Sequence, residues 1–92
     1  MKVHELKTVN PHFSAVWDRR KRMEVRNNDR NFKLGDVLHL KEYDKDKNMY
    51  TGRELLADVP HLLTGGEFGI DKDHCVMSIK VFRTINKSDL PF

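Results

Sequence analysis

Lys21, Glu24 and Arg26 place a point cation, a hydrogen-bond acceptor and a forked cation within six residues. If the segment is a strand, Glu24 and Arg26 share a face, because side chains alternate sides along an extended chain. Such a trio can hold a phosphate or read the edge of a base. The same spacing also suits an internal Glu24–Arg26 ion pair on a solvated face, which contributes little energy. Other reactive residue types form weaker patterns. The histidines His4, His12, His39, His61 and His74 include no H-x-x-x-H spacing with a carboxylate on a shared face, so they read as scattered surface imidazoles and no metal centre is expected. Cys75 falls in strand phase with Met77 and reads as an inward-facing small hydrophobe. Gly65, Gly66 and Gly69 match neither G-x-G-x-x-G nor a Gly-Lys-Ser/Thr ending, which leaves a flexible loop able to serve as a lid, and no cofactor is expected.

Charge is concentrated around the trio. The window 19–33 carries Arg19, Arg20, Lys21, Arg22, Arg26, Arg30 and Lys33 against Glu24 and Asp29, while the whole chain is only +3, so the remainder is net acidic. A clustered field on a small domain attracts polyanions where scattered charge does not. Basic residues at a helix end also complement its dipole, and Arg19 and Arg22 fit that solvated-cap role equally. A chain of 92 residues has room for one core, which excludes a multidomain enzyme. Hydrophobic residues make up 38% and charged residues 34%, so that core is small. Apolar stretches such as Leu62-Leu63 and Val81-Phe82 fall far short of the roughly 18 residues of a membrane span, and no apolar run follows Lys2. A soluble, cytoplasmic chain without a membrane partner is expected. Cys75, the single cysteine, can form no internal disulfide.

The elements that must position the trio follow from periodicity and turn chemistry. Val3–Thr8 alternates as a first strand, and Asn10-Pro11 then signals a helix start with Asn10 as cap and Pro11 as first helical residue. Phe13, Val16, Trp17 and Arg20 fall at i, i+3, i+4 and i+7, which turns the aromatic pair to a core and lays the Arg20 stem along its edge. From Met23 the period changes to two, with Met23 and Val25 on one side and Glu24 and Arg26 on the other, until Asn27-Asn28-Asp29 breaks the strand. Phe32–Asp36 turns into a strand over Val37–Tyr43. The run Asp44–Asn48 closes a hairpin, and the return strand continues through Glu54–Val59 until Pro60 ends pairing. His74–Phe82 is the last strand, with Cys75, Met77, Ile79 and Val81 buried. The expected fold is mainly β with one early helix: a domain over 1–82 whose five or so strands curl closed as a small barrel, plugged at one end by the helix, with 83–92 as a frayed tail. A doubly wound α/β fold would need several crossover helices, and only one is available.

The run from Arg19 to Arg26 resembles the signature G-x-K-x-x-E-x-R of the ASCH domain, a branch of the PUA-like superfamily of small β-barrels. The short helix before it and Gly35-Asp36 opening the next strand fit the same pattern. The segments His4–Thr8, Glu24–Arg30, Tyr50–Arg53 and Val76–Ile79 are similar to a compact bacterial and phage subfamily of ASCH-like domains of unassigned function. Arg19 stands where the signature has glycine, so if the helix closes there with positive φ, its backbone is strained. The resemblance implies a PUA-like barrel that binds RNA in a cleft beside it. Lys21 would neutralise a phosphate, Arg26 would make a forked contact to a phosphate or base, and Glu24 would orient Arg26 or accept from a base amine. Lys7, Asn28 and Arg30 join the site by resemblance, and Tyr43 is a stacking platform by strand phase alone.

Two rivals come from other classes. Some ASCH-like proteins are amidohydrolases that deacylate a modified cytidine with the motif lysine, a threonine three residues later and a late glutamate. Lys21 matches that set, Glu24 occupies the threonine position, and the last glutamate, Glu67, lies in the glycine loop. Lys21 beside Glu24 would then be the candidate catalytic pair, acting on a modified nucleoside. An accessory domain that docks an acidic protein would use the same basic face. As a polar motif residue, Lys21 is expected to add little to the core.

Overall fold

The computed structural model of the chain describes residues 1–89. The strands form as β1 (Val3–Thr8), β2 (Met23–Asn27), β3 (Val37–Asp44), β4 (Met49–Thr64) and β5 (His74–Asn86). One helix, α1 (His12–Trp17), joins β1 to β2, and a 3-10 turn follows at Lys87–Asp89. The domain is mainly β. All five strands lie in one sheet ordered β1-β3-β4-β5-β2, with β1 parallel to β3 and every other pair antiparallel. The sheet curls into a half-barrel, and its two end strands, β1 and β2, share no ladder of their own. Side chains span that seam instead: Arg26 on β2 reaches Thr8 and the Lys7 carbonyl, and Arg30 donates to the Glu5 carbonyl.

Alternation builds the core. Leu6, Leu38, Leu40, Leu55, Ala57, Val59, Cys75, Met77 and Ile79 point to the concave side, where Phe13 and Val16 of α1 join them. Each leucine, valine, isoleucine, phenylalanine and methionine among them contributes roughly 1.5–3 kcal/mol by leaving water. The cap is displaced by one residue from the expected position: Pro11, not Asn10, is the N-cap of α1 and His12 opens the helix, while Asn10 just before them accepts from the Ser14 amide at its Oδ1 at 2.9 Å. The helix ends at Trp17 with Asp18 as its C-cap, and Arg19 just beyond has a φ of 65°, the left-handed closure anticipated for the motif's glycine position. The Arg20 and Lys21 amides fold back onto the Ala15 carbonyl at 2.9 and 3.0 Å and so aim the chain into β2.

Several expectations are corrected. The stem of Arg20 does not line the helix–core edge; it is exposed beside Asp18, and Arg53 covers the aromatic pair, its guanidinium 4.8 Å from the Trp17 ring and 5.4 Å from the Phe13 ring. Pro60 does not end β4. Its lack of an amide is accommodated where the β4–β5 register shifts between Asp58 and His61, and pairing resumes to Thr64. Nor does the domain stop at residue 82: Thr84 pairs with Leu55 and Asn86 with Arg53, so the expected tail begins inside β5, and residues 90–92 of it lie outside the described residues. The glycine loop is built on turn hydrogen bonds, with Gly66 donating to the Ile70 carbonyl and Ile70 to that of Glu67. A Cβ on Gly65 would meet the Asp71 carbonyl oxygen at 2.0 Å, so this close approach requires glycine. Among the described residues no helix is long and apolar enough to cross a membrane.

Candidate functional site

β2 is built inside out. Met23 and Val25 face solvent at 45% and 53% exposure, whereas Glu24 is 2% exposed. The strand sits at the sheet's end, and its concave face looks across the open seam toward β1, where a polar side chain finds partners. Lys21 Nζ donates to Glu24 Oε1 at 2.6 Å, and Arg26 Nε donates to Glu24 Oε2 at 2.9 Å. The Arg26 fork continues to Thr8 Oγ1 at 3.0 Å and to the Lys7 carbonyl at 3.4 Å. One buried carboxylate therefore holds two cations side by side, and the second of them pins β2 to β1. Glu24 is itself part of the interior, and a buried carboxylate stripped of its partners is strongly destabilising.

Beside this array the seam opens as a cleft of about 500 Å³ lined by Lys7, Thr8, Val9, His12, Lys21, Met23, Glu24, Val25 and Arg26. The volume lies in the range of small-ligand sites. Its lining sets the cations Lys7, Lys21 and Arg26 beside the aliphatic carbons of Val9, Met23 and Val25, which suits a ligand with a flat apolar body and an anionic edge. Of the seven residues singled out from sequence, the cleft gathers Lys7, Lys21, Glu24 and Arg26. Asn28, Arg30 and Tyr43 do not line it. Asn28 holds the turn after β2, its Oδ1 accepting from the Phe32 amide at 2.8 Å, and Arg30 is engaged with the β1 backbone. Tyr43 lies on the β3–β4 hairpin with Tyr50 against it edge-on at 5.0 Å and the Lys7 ammonium 4.2 Å over its ring. That ring face is occupied. Glu67 lies in the glycine loop and does not line the cleft. Thr8 and His12 were missed. The inward phase of Thr8 follows from the alternation of His4, Leu6 and Thr8, whereas nothing in the spacing marks His12.

A second buried array lies between α1 and the β3–β4 hairpin. Glu42 Oε1 accepts from Thr51 at 2.6 Å and from Arg53 Nε at 2.9 Å, and its Oε2 accepts from Asn10 at 2.7 Å and from Arg53 Nη2 at 2.8 Å. The Arg53 hydrogen bonds, with those of Thr51 and Asn10, outweigh burial and lower the Glu42 pKa to about 2. Arg53 also reaches Ser14 on α1 at 3.2 Å, so this array ties the helix to the hairpin. The histidines correct a further expectation, since not all are surface groups. His4 is buried, with Nε2 2.8 Å from Asp36, and His39 packs 2.7 Å from Glu54. Burial would raise the Asp36 and Glu54 carboxyls, but hydrogen bonds from His4 and the Lys2 and Lys33 amides, and from Lys87 and His39, hold both below their ordinary range. Cys75 is fully buried as expected, and burial pushes its thiol up, away from the reactive thiolate.

A phage protein shares part of this chain. The Escherichia phage P2 protein described as an uncharacterized 12.9 kDa protein in the GpA 3′ region is 38% identical over 58 residues, which cover 63% of the chain. The match spans 51% of the phage protein, so the chain corresponds to about half the length of that relative. A protein-family match extends over residues 3–79, from β1 into β5, and takes in the whole cleft. The chain therefore belongs to the family described as Domain of unknown function (DUF3850).

Proposed function

We propose that the chain is an RNA-binding domain of ASCH-like type that takes one nucleotide of a single strand into the seam between β1 and β2. The observation that carries this reading is the buried Glu24 carboxylate holding Lys21 and Arg26 together at the wall of a cleft of about 500 Å³. A cation pair held by a buried anion is preorganised, so little side-chain entropy remains to be lost when a phosphate arrives. Lys21 neutralises a phosphate, Arg26, whose three nitrogens already hold Glu24, Lys7 and Thr8, offers the remaining hydrogens of its terminal nitrogens to a phosphate or base edge, and Lys7 adds positive charge to the lining. Met23, Val25 and Val9 supply apolar contact for the base. The left-handed backbone at Arg19, where the ASCH signature has glycine, supports the resemblance on which the RNA assignment rests. The buried, reduced Cys75 suits a cytoplasmic setting.

The hydrolase alternative gains little support from the same geometry. Both Glu24 oxygens already accept from cations, and a carboxylate in the threonine's place sets negative charge near any developing oxyanion. The test is a salt titration of single-stranded RNA binding. Affinity should fall with a log–log slope of about −0.7 per phosphate contacted, and Lys21→Ala should flatten that slope by about one contact. Affinity independent of salt, or no binding at low salt, overturns the proposal. Robust Lys21-dependent deacylation of an acylated cytidine would replace it with the enzyme.

A further inference from the structure

On the far side of Lys21 from the nucleotide cleft lies a second cavity of about 360 Å³, lined by Arg19, Lys21, Arg22, Ile79, Lys80 and Val81. The turn between α1 and β2 supplies Arg19, Lys21 and Arg22, and β5 supplies Lys80 together with the apolar Ile79 and Val81. Of the four principal cavities among the described residues, it alone has no carboxylate in its lining: the others include Glu24, then Glu42 with Asp44 and Asp46, then Asp71. Within it, Lys21 is already balanced by Glu24. Arg19, Arg22 and Lys80 make no ion pair with a carboxylate among the described residues. The fork of Arg22 is also oriented. Its Nε donates to the Arg19 carbonyl at 3.3 Å, which leaves both terminal nitrogens for a ligand. The left-handed turn at Arg19 brings these two arginines to one concavity, since a helix continued through Arg19 would carry β2 elsewhere.

We infer that this cavity is a phosphate site, and that it takes the terminal phosphomonoester of a strand whose end nucleoside occupies the cleft. Three uncompensated cations around one concave space match a group that carries −1.5 to −2 charge and three acceptor oxygens better than an internal diester of single charge. Lys21 walls both cavities, so one side chain contacts the nucleoside side and the phosphate side of the same ligand. The inference deepens the RNA-binding proposal and rests on it. Its ligand class is a phosphate-terminated single strand, in place of any stretch of chain.

The test measures binding of the full chain to one short single-stranded RNA prepared with a 5′-phosphate, a 3′-phosphate, or hydroxyls at both ends. One phosphorylated form should bind about tenfold more tightly than the hydroxyl-ended strand, as expected when one neutral contact becomes charge-assisted. That preference should vanish in the Arg22→Gln, Lys80→Gln double variant, whose exposed positions leave the melting temperature unchanged. Equal affinities of the three strands for the wild-type chain, or a preference that survives the double variant, overturn the phosphate site while leaving RNA binding in place. Failure of all three strands to bind overturns the RNA-binding reading itself.

Discussion

At the scale of single residues, Glu24 and Arg19 carry most of what is unusual. A period of two tells that Glu24 and Arg26 share a face, but it cannot tell which face is buried. The apolar Met23 and Val25 would by habit be assigned inward, and the structure inverts them because the sheet's last strand faces a polar seam. The inner face of β2 was therefore readable as a unit and unreadable in direction. Arg19 was better marked, since the signature places glycine there and the helix does close with φ 65°. An L-residue in that conformation costs about 1–2 kcal/mol, and glycine's greater freedom in the unfolded chain returns about 0.5–1 kcal/mol of any relief. Arg19→Gly should therefore raise the melting temperature by a few degrees, measured by circular dichroism. A lower melting temperature would mean that the Arg19 contact with the Trp17 carbonyl outweighs the backbone strain.

Among the elements, α1 was legible as a stripe and illegible in its partners. Spacing turns the aromatic pair inward, and Phe13 is fully buried with Val16 while Trp17 is only partly so. The cover of Trp17 comes from Arg53, 36 positions later in the chain, and no local pattern foretells a contact of that separation. This ranks two substitutions. Phe13→Ala empties a wholly buried site and should cost roughly 3–5 kcal/mol, whereas Trp17→Ala, at a half-buried position under a guanidinium, should cost less, about 2–3 kcal/mol. Urea denaturation of both variants checks the order, and the reverse order would place the helix anchor at the tryptophan. The Glu42 array makes a prediction of its own. Its carboxyl titrates near 2 in the folded chain against an ordinary value of 4.5, so its stabilisation is complete above about pH 4.5 and is lost as pH falls toward 2. That shift corresponds to about 3 kcal/mol, and the lowered Asp36 and Glu54 act in the same direction. Denaturation midpoints between pH 7 and pH 2.5 should drop chiefly below pH 4.5, and Glu42→Gln should be less stable at pH 7 yet show a shallower acid slope.

Over the whole molecule, the sequence foretold five strands and a curled sheet, because each strand carries its own alternation. Closure was another matter. Whether the first and last strands of a sheet meet depends on twist and on long-range register, and no short segment encodes either. Here they stop short, and Arg26 and Arg30 bridge a gap that a barrel would fill with a ladder. The cleft exists because the barrel does not close. β1 and β2 are each paired on one side only, while β3, β4 and β5 are paired on both. Local opening should therefore begin at the seam, and amides of β1 and β2 should exchange with solvent well before those of β4 and β5. A ligand that contacts Lys7 and Thr8 on one strand and Glu24 and Arg26 on the other binds only the docked arrangement, so it should slow exchange on both strands together. Hydrogen exchange with and without saturating single-stranded RNA measures this directly. Protection that appears on β2 alone would mean the ligand sits on the outer basic face and leaves the cleft empty. Protection gained on β1 and β2 in step, and lost in Arg26→Ala, would mean that ligand and arginine close the same seam.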